Sequence, residues 1–236
     1  MKTNYKTTLL IASVIIAIGL IGLGYGIKCG ILGFNDGERV VLVKGAAEKE
    51  VQADKVIWPI SFKLSGNNLA YIYDEMERIE EQIKKFLSKY EITDECVSTG
   101  IPTITDLETE QYRSTQIYYR YFATSSITVN TTEVDKVLTA MQAISELIKQ
   151  GLVVESSPWA VTFSYNGLNE IKPTLVQQAT ANARLSAEKF ASDSGSRLGN
   201  IKTARQGEVS ISTPDSNTPY KKLVRVVSSV EYYLKD

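Results

Sequence analysis

The chain has 236 residues, a net charge of −1 and no histidine. It therefore lacks the commonest general base and the commonest metal ligand, and its charge balance speaks against the concentrated basic surface that nucleic acid requires. Its two cysteines, Cys29 and Cys96, lie far apart in sequence and have no neighbours of a redox pair, so neither a disulfide framework nor a thiol centre is expected.

Residues 7–27, TTLLIASVIIAIGLIGLGYGI, carry no charge. As a helix they span about 31 Å, close to the hydrocarbon thickness of a bilayer. Lys2 and Lys6 precede the tract, Lys28 follows it, and the first acid is Asp36. The reading is an uncleaved transmembrane anchor over residues 1–28, a linker over 29–38 and an exported domain over 39–236. A cleavable signal peptide is the rival. Its apolar core would be shorter, and Tyr25-Gly26-Ile27-Lys28-Cys29 is a poor cleavage site. Lys28 also stands where a lipoprotein cysteine would need a small residue before it. The positive-inside rule puts the N-terminus inside and the domain outside. Gly22 and Gly26, four apart, would let two anchors approach closely; the plainer account is glycine's ordinary frequency in such helices. Removing the three lysines at the anchor leaves 23 basic and 27 acidic residues, a net −4 for residues 29–236.

Residues 39–44 form a β-branched run that predicts a strand, broken at Gly45. A long strand is expected over 48–64, with Val56, Trp58, Ile60, Phe62 and Leu64 on one face. Pro59 cannot donate to a ladder, so that strand must lie at an edge there or bulge. After the turn at 65–68, which offers an N-cap, Leu69, Ile72, Met76, Ile79, Ile83 and Phe86 alternate at spacings of three and four, the stripe of an amphipathic helix. Its acidic run reads as a solvated face with pairs such as Glu80–Lys84 and Glu81–Lys85 rather than a metal cluster. Strands follow over 92–105 and about 111–130. In the second, Tyr112, Tyr118, Tyr119 and Tyr121 interleave with Arg113 and Arg120. That pattern resembles a single-strand nucleic-acid platform, but the net acidity favours cross-strand aromatic pairing. Thr132 and Asp135 suggest a capping box opening a helix that ends at Gly151, and a strand is expected over 152–165.

Pro173 suits the first turn of a further helix. Leu175, Ala179, Ala183, Ala187 and Ala191 recur every fourth residue, with Phe190 beside them, and Gly195 and Gly199 close the segment. Small residues at that spacing permit close packing. Strands over 201–212 and 222–234 flank a turn-rich loop, the last pointing Val224, Val226, Val230, Tyr232 and Leu234 to one side. The expected fold is α+β: the transmembrane helix, then a ferredoxin-like β-α-β-β-α-β unit, then a C-terminal α-β-β unit.

No nucleophile elbow, P-loop, dinucleotide fingerprint or metal-ligand spacing occurs. Ser186-Ala-Glu-Lys189 stands alone inside a helix and has no companion motif.

ATANARLSAEKFASDSGSRLG, residues 179–199, resembles the C-terminal signature of the SIMPL-domain family: an A-x-x-x-A helix, a glycine, then leucine-glycine. VLVKGAAEKEVQAD, residues 41–54, is similar to the family's opening strand, its glycine and its small-residue–Asp step, with Ala53 where many members have proline. The resemblance implies a bacterial envelope protein of the inner membrane with its domain in the periplasm, and loose links to oxidative-stress tolerance and surface antigenicity. It supplies no catalytic residues. It assigns structural roles to Gly45, Asp54, Ala179, Ala183, Ala187, Gly195 and Gly199; an aspartate opening a strand commonly bonds nearby backbone N–H groups.

Three functional expectations follow. The first is a self-assembling scaffold held by its anchor, with Tyr112, Tyr118, Tyr119 and Tyr121 as the candidate assembly surface. The second is a periplasmic module that binds a ligand or protein. The third is an enzyme, ranked last. No cofactor and no metal is expected.

Overall fold

A computed structural model describes residues 5–35, 39–109 and 118–235. It is a mixed α+β architecture with an apolar N-terminal helix and two antiparallel sheets. Helix α1 (Tyr5–Asn35) carries the uncharged tract, and its stretch Leu9–Lys28 is exposed throughout. The helix continues to Asn35, so most of the segment read as a linker is helical.

Strands β1 (Val40–Gln52) and β2 (Lys55–Gly66) come next. The boundary between them lies at Ala53-Asp54, not at Gly45. Gly45 is buried inside β1, on the same inward face as Val41 and Ala47. Glycine within a strand marks close packing as readily as a break, and the alternation of buried residues runs straight through it.

The chain then forms α2 (Leu69–Lys89), β3 (Val97–Thr99), β4 (Thr103–Asp106) and β5 (Tyr121–Thr131). It continues through α3 (Val134–Gln142), α4 (Ser145–Lys149), β6 (Val154–Glu155) and β7 (Thr162–Ser164), and ends with α5 (Leu168–Asp193), β8 (Arg197–Ser212) and β9 (Lys221–Lys235). One sheet has the order β1-β9-β8. The other has the order β3-β5-β2-β6, with β4 also on β5 and β7 also on β2.

Two compact units emerge. One takes the residues up to 45, 180–205 and those from 228; the other takes 46–179 and 206–227. In the larger unit, β2 and β5 run antiparallel at the centre of their sheet. Their buried residues face one another in register, Trp58 opposite Val129 and Ile60 opposite Ile127. Against that face lie Ile72, Met76, Ile79, Ile83 and Phe86 of α2, Val137 of α3 and Leu147 of α4. Each such side chain, removed from water, contributes about 1.5–3 kcal/mol before entropy is set against it. Leu69, expected in this stripe, is half-exposed. Asn68 caps α2, its Oδ1 accepting from the backbone N–H groups of Ala70 and Tyr71. The larger unit also buries Ala47, Leu175, Ala179, Val224 and Val226 together. In the smaller unit, Val41, Ala183, Ala187, Val230 and Tyr232 form a separate cluster.

Several expectations need correcting. The capping box at Thr132 is not made: α3 has no side-chain cap, Thr131 Oγ1 accepts from Glu133 N–H, and Asp135 accepts from Gln52 Nε2. Helix α5 begins five residues before Pro173, which therefore sits inside it. The strand expected over 92–105 is two short strands, and that over 152–165 is two short strands around a 3₁₀ turn at Pro158–Ala160. Phe190 is exposed. Gly199 lies within β8 and does not close α5.

Three helices end alike. In each, the residue after the C-cap takes the left-handed conformation, and the next N–H reaches back to a carbonyl one turn earlier. The bonds are Ile92 N to Leu87 O at 3.1 Å, Leu152 N to Leu147 O at 3.2 Å and Ser196 N to Ala191 O at 2.8 Å. This is the Schellman closure. Gly151 and Gly195 supply the left-handed residue for α4 and α5, whereas α2 uses Glu91 at φ 59°.

Candidate functional site

The family-pattern residues fall into two places. Asp54 sits in the short step between β1 and β2 and reaches the start of α5. Its carboxylate accepts from Asn166 N–H at 2.9 and 2.7 Å, from Asn166 Nδ2 at 3.1 Å and from Gly167 N–H at 2.7 Å. Asp54 N–H also donates to Ser164 O. The first N–H groups of a helix have no partner within it, and an anion there is favoured by the helix dipole. Asp54 supplies both functions from a distant part of the chain. Tyr165 adds a bond from its hydroxyl to Gly167 O at 3.1 Å. Its pKa is pushed up by burial, with Glu170 and Asp54 adding to the effect. Of this constellation the sequence indicated Asp54 alone. Asn166-Gly167, just before the helix, is the sequence signal that marks its start; Pro173, which suits a first turn, lies inside it.

The second place is the alanine face. Ala179, Ala183 and Ala187 are fully buried and Ala191 nearly so. Ala183 and Ala187 meet the flat surface of Val41, Val230 and Tyr232. Gly199 explains itself by proximity: a Cβ there would come 2.8 Å from Tyr233 O, and one at Gly207 would come closer still to Val227 O. In α1, Gly22 and Gly26 are exposed, and a Cβ on either meets nothing within 4 Å. They lie on one helix face, bare of any neighbour among the described residues.

The tyrosines do not form one surface of strand pairing. Tyr112 lies outside the described residues. Tyr118 and Tyr119 are exposed ahead of β5, and Tyr121 is half-buried at its first position. Tyr121 lies under the Arg120 guanidinium at 5.1 Å. Arg120 is itself clasped by Asp106, with bonds of 3.2, 3.1 and 2.8 Å, and by Glu108 at 3.1 Å. That bonding holds the Asp106 carboxyl below its ordinary pKa. The described ring pairs are Phe86–Tyr90 and Phe163–Tyr220, so arginine–aromatic contact replaces the expected aromatic pairing at Tyr121.

The strands expected over 48–64 and 111–130 were to leave an edge for assembly; where they fall on β2 and β5 they do not, because both are paired on both sides. The edges of that sheet are interrupted. On one, the registers of β6 and β7 along β2 differ by three residues, and the extra chain loops out opposite Pro59. Trp58 Nε1 donates to Ser156 Oγ there at 2.7 Å, and Trp159 is thrown into solvent, 87% exposed. On the other, β3 and β4 differ in register by one residue along β5; Gly100 N–H bonds Ser126 O and Ile101 is pushed out. Bulges and prolines of this kind prevent strands from adding. The other sheet has β1 and β8 at its edges; β8, sixteen residues with β9 on one side and no strand on the other among the described residues, is the longer of the two.

Glu48, Lys49, Glu170, Ile171, Thr174, Leu175 and Gln178 line an open cleft of about 340 Å³. Glu48 is paired with Arg225 at 2.6 Å. Among the described residues no group of three or more Cys, Asp or Glu is arranged to hold a metal ion.

A family model described as SIMPL, a protein of unknown function (DUF541), matches residues 41–230. The chain belongs to the SIMPL family. The matched span starts in β1 and ends in β9, so it takes in the Asp54 cap and the whole alanine face and leaves α1 outside. No curated protein matches this SIMPL chain. The family description assigns no activity, so the reading of function rests on the chain's own geometry.

Proposed function

We propose that this SIMPL protein is a scaffold of the bacterial envelope, held in the inner membrane by an uncleaved α1 and assembled from copies of itself in the periplasm. The observation that carries the reading is the β8 edge. It is long, largely exposed and free of proline, unlike the edges of the other sheet, which shifts of register interrupt. A second copy adds a strand there through main-chain hydrogen bonds. Gly22 and Gly26 let neighbouring anchors approach, a secondary contribution because lipid solvates apolar side chains as well as another helix does. The domain faces the periplasm by the positive-inside rule, and it carries no catalytic site. The link to envelope or oxidative stress rests on the family resemblance alone.

The same reading takes the larger unit as ferredoxin-like. Its strand order, β3/β4-β5-β2-β6/β7 with α2 and α3–α4 against one buried face, supports that topology.

One observation favours a second reading, a periplasmic binding module. The cleft beside α5 is of the size of a small-ligand site and carries Glu48, Lys49 and Glu170.

Two experiments test the proposal. The intact mass of membrane-extracted protein is expected to include the residues before Lys28; a mature chain starting near residue 29 contradicts the anchor. Cross-linking in native membranes is expected to yield ladders of the SIMPL chain alone. Monomers there, with a small molecule carried through purification, favour the binding module.

A further inference from the structure

Asn166-Gly167 is the only Asn-Gly dipeptide in the sequence. Asn-Gly is chemically the most fragile of asparagine steps, because glycine leaves the following backbone nitrogen unhindered. In that reaction the Gly167 nitrogen loses its proton and attacks Asn166 Cγ. The Cγ–Nδ2 bond breaks, ammonia leaves, and a five-membered succinimide remains. Solvent water then opens the ring at one carbonyl to give aspartate or at the other to give isoaspartate.

Both reacting groups are held by one carboxylate. Asp54 accepts the Gly167 N–H at 2.7 Å and the Asn166 Nδ2 at 3.1 Å, besides the Asn166 N–H. From this geometry we infer that Asp54 guards a latent modification site, and that Asn166 deamidates only when this cap opens. Two physical effects act together. A negative charge at hydrogen-bond distance disfavours removing the proton from the Gly167 nitrogen, since the resulting anion would face a like charge. The bond to Nδ2 fixes the side-chain amide and prevents the rotation that presents Cγ to the nitrogen. Asn166 is exposed, so water is at hand once the guard is lost. The change is irreversible and undoes the cap. Aspartate at 166 sets a second carboxylate against Asp54, and isoaspartate lengthens the backbone at the start of α5.

The test is peptide mass mapping of full-length protein in detergent, incubated in mildly alkaline buffer below its unfolding transition. Charge-assisted hydrogen bonds of this kind predict deamidation at residue 166 about tenfold or more slower in the native protein than in the same protein in guanidinium. Asp54→Asn, kept folded at the working temperature, is expected to deamidate at close to the denatured rate. Ala187→Leu, destabilised but with Asp54 intact, is expected to match the wild type. If Asp54→Asn does not fold, the native-to-denatured comparison still decides: equal rates overturn the guard. The inference is also overturned if Asp54→Asn deamidates as slowly as wild type, or more slowly, which would make Asp54 a base rather than a guard. Equally fast deamidation of Ala187→Leu would overturn it too, assigning the protection to global stability.

Discussion

Glu91 occupies the left-handed position that Gly151 and Gly195 fill at the ends of two other helices. A side chain there costs roughly 1 kcal/mol against glycine. Its ion pair with Lys136, 3.3 Å long and with Glu91 mostly exposed, returns little of that. Glu91→Gly is therefore expected to stabilise the domain by about 0.5–1 kcal/mol, read as a higher urea midpoint with unchanged slope. Glu146 makes a pH prediction. Lys89 Nζ at 2.7 Å, and then Tyr90 hydroxyl at 2.9 Å, hold its carboxyl below the ordinary value. A carboxyl depressed in the folded state stabilises above its unfolded pKa, and that stability is lost as pH falls through the folded one. Glu146→Gln is thus expected to melt lower than wild type at neutral pH and to converge with it in acid, followed by thermal scans across pH. Legibility at this scale was uneven. Asp54 was visible as a strand-opening aspartate, but its partners lie more than a hundred residues away, and no local pattern encodes them.

The alanine face is the element whose sequence was easiest to interpret. A four-residue spacing of small side chains gives a single buried line, and Ala179, Ala183, Ala187 and Ala191 all lie on it. Ala187→Leu forces extra volume against Val41, Val230 and Tyr232, with an expected cost of about 1–3 kcal/mol by chemical denaturation. Leu185→Ala, two positions away and 63% exposed, is expected to stay within about 0.5 kcal/mol of wild type. Amphipathic periodicity likewise set out α2 and the inward faces of β2 and β9. The strand boundaries were harder. Gly45 carries the chemistry of a break but occupies a buried strand position, and Pro59 demanded an edge or a bulge without revealing that the interruption belongs to the partner strands β6 and β7. Pairing between distant segments decides such points, and hydrophobic alternation is blind to it.

At the scale of the molecule, the tract of residues 7–27 and the family signature were both legible, and the match over residues 41–230 agrees with that signature. Strand order was not. Sequence alone made the strands expected over 48–64 and 111–130 look as if they leave an edge, whereas β2 and β5, which take most of their described residues, are a sheet's centre and the longer edge strand is β8. The assembly proposal accordingly moves to β8, where Ile201 and Ala204 are exposed. Lysines on an edge oppose strand addition. The direct measurement is the light-scattering mass of the full-length chain in mild detergent, wild type beside Ile201→Lys/Ala204→Lys. The account predicts a multimer for wild type and a monomer for the variant. A wild-type monomer, or a variant that remains fully assembled, contradicts it.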